Sequence, residues 1–183
     1  MIEIRNLTVR FKDQTVFENR SFLFPDKGVV LLAGESGIGK TTLLRVMAGL
    51  LKPQKGSVSG TDNRKISFVF QEPRLLESMR AIDNVAIVSD RQKAEELLTR
   101  LGLSDFLEKK AKELSGGQKQ RVSLARAFAY SDDIVLLDEP FTGLDEQNKL
   151  RAAELIRTAK LAVVVTHDPI DAELLHADRK INL

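Results

Sequence analysis

The chain has 183 residues, 43% of them hydrophobic and 30% charged, with a net charge of +2. That balance suits one soluble globular domain and excludes the strong positive field expected of a protein that coats nucleic acid or anionic lipid. Cysteine is absent, which excludes a disulfide framework and a thiolate metal site and fits a reducing compartment.

The opening "MIEIRNLTVR" is alternating and charged, unlike the apolar run of a signal peptide. Ile2–Phe11 and Val16–Phe24 are predicted antiparallel strands joined by "KDQT". "GVVLLAG" at Gly28–Gly34 is a continuous apolar run, as in a buried parallel strand. A helical stripe covers Lys40–Leu50, and "KPQKG" breaks it. "ISFVFQ" at Ile66–Gln71 is another buried strand, and Ala81–Val88 and Arg91–Leu101 are helical. Gln118–Tyr130 is a helix with Val122, Leu124, Ala125, Phe128 and Ala129 toward a core. "IVLLDE" is a buried strand ending in two acids. Asp145–Ala159 is a helix with Leu150, Leu155 and Ile156 expected on one face, and "LAVVVT" and "KINL" are the last strands.

Strands alternating with helices predict an α/β fold with a mainly parallel sheet. The helical insertion after Gln71 reads as a small second lobe. The expectation is a single domain over 1–183, with a core lobe at about 1–71 and 116–183 and a helical lobe at about 72–115. The longest apolar stretches are far too short to span a membrane.

"GESGIGKT" at Gly34–Thr41 fits G-x-x-x-x-G-K-[ST], the P-loop or Walker A pattern, between a predicted strand and a predicted helix. Its glycines permit unusual backbone angles, so successive N–H groups can surround phosphates, and the helix N-terminus adds positive partial charge. Lys40 would neutralise the β- and γ-phosphates, Thr41 would place its hydroxyl on Mg²⁺, and Thr42 would reach the α-phosphate. Asp138 and Glu139 close a hydrophobic strand in the Walker B manner, at the carboxyl end where open α/β sheets hold ligands. Asp138 suits a metal shell; Glu139 suits a general base or a group that orients the attacking water. Consecutive strand residues point to opposite sides, so the two acids need not share a role. Gln71 could touch the metal or the attacking water, and His167 could hydrogen-bond a γ-phosphate. Each alone would read as an ordinary strand-end residue. His176 has no such context and is expected to be structural.

The order of P-loop, glutamine, "LSGGQ", "LLDEP", "GLD" and "VVTHD" resembles an ATP-binding cassette (ABC) ATPase over essentially the whole chain. The resemblance implies a P-loop NTPase fold with N-terminal antiparallel strands and a helical lobe. It implies ATP hydrolysis with Mg²⁺, and two cassettes packed head to tail, each nucleotide lying between the P-loop of one and the LSGGQ of the other. The residues Gly34, Glu35, Ser36, Gly37, Ile38, Gly39, Lys40, Thr41 and Thr42 would then bind nucleotide. Thr41, Gln71 and Asp138 would hold the metal, and Glu139, His167 and Gln71 would serve catalysis. Ser115, Gly116, Gly117, Gln118 and Asp145 would contact the opposite site. Phe11 aligns with the aromatic that stacks on adenine, or is a buried strand residue. Asp145 crosses the dimer, caps its own helix, or both.

"FVFQEPRLLESMRAIDNVAI" resembles the coupling region of importer ATPases for small nutrients such as sulfonates, nitrate-like anions or thiamine-like compounds. That implies membrane permease subunits, a second ATPase subunit (two copies of this chain), an extracytoplasmic solute-binding protein, no nucleic acid, and a cytoplasmic site on the inner face of the cell membrane. Leu75, Leu76 and Met79 would grip a permease helix or pack within their own lobe. The end at "KINL" leads one to expect no C-terminal regulatory domain. Two other classes compete. A DNA- or ribosome-acting ABC ATPase would carry long insertions before the signature or a second cassette. A P-loop kinase or GTPase would lack "LSGGQ".

Overall fold

A computed structural model describes residues 1–12 and 14–183; Asp13, in the predicted first turn, lies outside the described residues. Strands β1 (Ile2–Phe11) and β2 (Gln14–Phe24) pair antiparallel, and β4 (Lys55–Ser59) adds to the other edge of β1. The parallel sheet runs β5–β6–β7–β3–β8, with β3 at Gly28–Ala33, β5 at Ile66–Val69, β6 at Ile134–Asp138, β7 at Leu161–Val165 and β8 at Arg179–Asn182. The helices are α1 (Lys40–Met47), α2 (Ala81–Ala86), α3 (Arg91–Arg100), α4 (Gly116–Tyr130), α5 (Glu146–Ile156) and α6 (Pro169–Leu174).

The parallel strands divide their side chains between two cores, because successive residues face opposite sides. Val30, Leu32, Ile134, Leu136, Leu161, Val163 and Val165 join α1 and the inner face of β1 and β2 in one cluster. Val29, Val135, Leu137, Ala162 and Val164 join α2, α3, α4 and α5 in the other. Each fully buried aliphatic side chain stabilises by about 1.5–3 kcal/mol. The central strands are therefore apolar on both faces, and polar chemistry is left to their ends.

Several expectations shift. β4 and α6 are additional to the elements that the sequence pattern predicts: "KGSVS" is short and weakly apolar and is recruited by pairing with β1. α1 ends at Met47 and α2 at Ala86, each shorter than predicted, and α4 starts at Gly116, earlier than predicted. Leu150 is 50% exposed, whereas Leu155 and Ile156 are buried. Five residues carry a helix about 140° round from where they began, so Leu150 could not share the face of Leu155; Ala152 and Ala153 fill it instead. In the α2–α3 segment, Ile82, Val85, Leu98 and Leu101 lie in the cluster that also holds Val135 and Phe128. Among the described residues no helix is long and apolar enough to cross a membrane.

Candidate functional site

The carboxyl ends of β3, β6 and β7 open onto a cleft of about 260 Å³ lined by Ser36, Gly37, Gly39, Lys40, Thr41, Thr42, Gln71, Asp138, Glu139, Val165 and His167. The loop after β3 is shaped by glycine. Gly39 has φ +111° and caps α1 with no side chain, and a Cβ there would meet Val16 Cγ1 at 2.5 Å and Phe17 Cζ at 2.8 Å. No acidic residue lies in the first turn of α1, so the unpaired N–H groups at that end are left for an anion. Lys40 is 5% exposed, and its Nζ donates to Gly34 O at 2.8 Å and Glu35 O at 2.7 Å. The ammonium is thus held inside its own loop, next to the space it would serve.

Thr41 Oγ1 donates to Asp138 Oδ2 at 2.7 Å, linking the first turn of α1 to the end of β6. Glu139 corrects the expectation drawn from strand alternation. It lies just beyond β6 with φ +50°, its N–H donating to Val165 O at 3.0 Å. The left-handed turn brings its side chain back, so both acids line one cleft. A non-glycine residue in that region costs of order 1–3 kcal/mol and persists only where its surroundings enforce it. Burial pushes the Glu139 carboxyl up, opposed by the nearby His167. His167 Nε2 stands 3.3 Å from Glu139 Oε1, with the imidazole side chain 53% exposed. Gln71 is exposed and lies beyond β5, which ends at Val69, yet still reaches the cleft. Phe11, at the end of β1, is 45% exposed rather than buried.

Ser115, Gly116, Gly117, Gln118 and Asp145 do not line this cleft. Ser115 is the N-cap of α4 in a closed capping box: Gln118 N–H donates to Ser115 Oγ at 3.3 Å, and Ser115 N–H donates to Gln118 Oε1 at 2.9 Å. A Cβ on Gly116 would meet nothing within 4 Å, whereas one on Gly117 would lie 2.4 Å from Gly143 O. Asp145 is the N-cap of α5, accepting from Asn148 N at 2.9 Å and from Asn148 Nδ2 at 2.9 Å. The Asn148 N–H holds the Asp145 carboxyl below the usual range.

A family model described as "ABC transporter" matches residues 17–142. The chain belongs to the ABC transporter family. It is an ATP-binding, ATP-hydrolysing subunit of that family. It is 38% identical to the aliphatic sulfonates import ATP-binding protein SsuB 1 of Paracoccus denitrificans, over 97% of this chain and 77% of that protein. It is 36% identical to the sulfate/thiosulfate import ATP-binding protein CysA of Vibrio vulnificus, over 93% of this chain and 57% of that protein. Among solved structures, a dimeric post-hydrolysis state of the ATP-binding cassette MJ0796 bound to ADP and Pi superposes with a TM-score of 0.86. It is 30% identical, and the match covers 100% of this chain and 94% of that one.

Three residues of this ABC cassette that sequence reasoning passed over tie the signature helix to its surroundings. Gln120, 1% exposed, points its amide at Glu139 O and Pro140 O, 3.4 Å from each. Arg121, 7% exposed, donates to Leu101 O at 2.7 Å and to Asn148 Oδ1 at 2.8 Å. Gly143 supplies the carbonyl against which Gly117 packs. The Ser115–Gln118 box had a readable signal, S-x-x-Q before an apolar run. The others had none, because their partners are distant in sequence.

Proposed function

We propose that this ABC cassette powers import of a small solute by binding ATP between two cassettes and hydrolysing it. The carrying observation is the single cleft that gathers Lys40, Thr41, Gln71, Asp138, Glu139 and His167 while Ser115 faces elsewhere. In this reading Lys40 leaves the carbonyls of Gly34 and Glu35 for the β- and γ-phosphates, with the loop amides of residues 34–39 around them. The exposed Phe11 stacks on adenine.

The Thr41 hydroxyl and Asp138 carboxylate offer the hard oxygen donors that Mg²⁺ requires, with Gln71 alongside. Among the described residues no cluster of three metal-binding side chains exists, as suits an ion whose other ligands are phosphate and water. When bound, Mg²⁺ would neutralise charge on the phosphate oxygens. Glu139 accepts a proton from the attacking water as its oxygen bonds to the γ-phosphorus, and the bond to the β-phosphate oxygen breaks. His167 donates to a γ-phosphate oxygen.

Transition-state donors are incomplete within one chain. Ser115 and the Gly116 and Gly117 amides, at the start of α4, supply the rest to the other cassette's nucleotide, with Gln118 and Asp145 beside them. Loss of the γ-phosphate contact then lets the pair open. The dimeric neighbours support this pairing, with two copies of this chain as the simplest form.

For the membrane partner, a hollow of about 170 Å³ lined by Ile66, Phe68, Val88, Arg126 and Tyr130 is the better candidate groove. Leu75 packs inward on the core, while Leu76 remains 45% exposed. A short permease helix seated there would hold the cassette at the inner face of the membrane. The names of the sulfonate and sulfate relatives support import of a small oxyanion; in this reading a solute-binding protein delivers it.

The test is affinity capture of the tagged chain from gently solubilised membranes, beside the same chain carrying Tyr130→Glu. A stoichiometric multi-span partner that is lost with Tyr130→Glu is expected. A soluble dimer with no membrane partner, or a ribosomal one, would overturn the transporter reading while leaving the ATPase intact.

A further inference from the structure

The first turn of α5 is gripped from two directions by adjacent residues. Asn148 faces α4, accepting from Arg121 at 2.8 Å. Lys149 faces α6: its Nζ lies 2.6 Å from Asp171 Oδ1 and 3.4 Å from Asp168 Oδ2. These partners are well placed to hold a segment in position. Asp171 is 6% exposed. Asp168 directly follows His167 and caps α6, its Oδ1 accepting from Ile170 N at 2.9 Å. The Asp168 N–H in turn donates to Thr166 Oγ1 at 3.3 Å. None of these groups lines the nucleotide cleft.

His167 itself is weakly held. Its side chain is more than half exposed, and among the described residues its one ionic contact is the 3.3 Å approach to Glu139. The position of the imidazole therefore depends on where the backbone of residues 166–168 is anchored. A fully solvated ion pair would restrain little. Here one ammonium with a 20% exposed side chain bridges two carboxylates, one of them buried.

We propose that Lys149 is a positioning residue: by bridging Asp168 and Asp171 it ties the turn that carries Asp145 to the segment that carries His167. This rests on the site reading above, in which Asp145 meets the second cassette and His167 meets the γ-phosphate. Docking of the second cassette on Asp145 is then felt at His167 through one side chain, and hydrolysis is favoured only in the assembled pair. Lys149 touches no reacting atom, so its effect falls on turnover and not on nucleotide binding.

The experiment measures steady-state ATPase and nucleotide titration on the full chain. Lys149→Met should lower kcat about tenfold with KM and nucleotide Kd unchanged, as for a displaced positioning group. Lys149→Arg should restore it, since the guanidinium can still bridge two carboxylates. Lys149→Met with Asp171→Asn should remain slow although no lone buried carboxylate is left, which separates lost positioning from lost folding. The double variant His167→Ala with Lys149→Met should be no slower than His167→Ala alone, because one group acts through the other. A wild-type kcat in Lys149→Met, or multiplicative losses in the double variant, overturns the proposal. If His167→Ala itself keeps full activity, the role given to His167 falls and the clamp with it. If His167→Ala is slow and Lys149→Met is not, only the clamp falls.

Discussion

The P-loop cleft and the signature segment are both built on a helix N-terminus, yet they are different objects. The cleft is concave and already assembled: Lys40 waits in its own loop, Thr41 is bonded to Asp138, and five other polar side chains line the same hollow. The signature segment lines no part of that hollow, and it is closed upon itself, Ser115 and Gln118 satisfying one another. A preformed pocket can bind nucleotide alone. An exposed cap with its polar groups already paired has little to offer until a phosphate is brought to it by another molecule. That asymmetry is the physical reason for reading the working unit as a pair.

The sharpest way to break this contrast is Glu139→Gln. It should slow hydrolysis by roughly 10²-fold or more while ATP binding survives and a dimer accumulates; full turnover in that variant would remove Glu139 from the mechanism. Lys40→Ala should weaken nucleotide binding by the isolated chain about 100-fold, through loss of charge-assisted bonds to the phosphates. An unchanged titration would show that the cleft does not use it. Ser115→Arg should leave monomer binding within about twofold but abolish ATP-driven dimerisation in light scattering, since exposed changes rarely reach a distant site.

Smaller effects separate the two glycines of the signature. Gly117→Ala should cost about 2 kcal/mol of stability, because its Cβ would press on Gly143 O at 2.4 Å. Gly116→Ala, with open space around it, should change stability by less than about 0.5 kcal/mol. Equal melting shifts for both would contradict the packing described.

The least effect is a pH dependence. The folded Glu139 carboxyl titrates above its ordinary value because of burial, so its contribution to stability is full below about pH 4.3 and is lost as pH rises through the folded value. Glu139→Gln stays neutral and should melt higher than wild type at neutral pH, with the gap closing on acidification. A gap that widens in acid would reverse that assignment.

Much of this was legible in the chain. Continuous apolar runs at Val29–Leu32, Ile134–Leu137 and Leu161–Val165 announced strands buried on both faces, because only a doubly covered sheet tolerates them. The P-loop could be read because its chemistry is local: glycine, lysine and threonine act within one turn of each other. What failed was whatever depended on a partner far along the chain. β4 is a strand because β1 has a free edge, and Leu150 is exposed because Ala152 and Ala153 meet the core first.

The sequence by itself determined the α/β class and the order of the elements other than β4 and α6, and it marked the candidate site residues, since periodicity and short motifs are properties of neighbouring residues. Only the tertiary structure decided that Glu139 leaves its strand with φ +50° to share a cleft with Asp138, that Gly117 must be bare because Gly143 O lies against it, and that Lys149 reaches two acids beside His167. Those facts depend on contacts between distant segments, and such contacts exist only once the two cores have closed around the sheet.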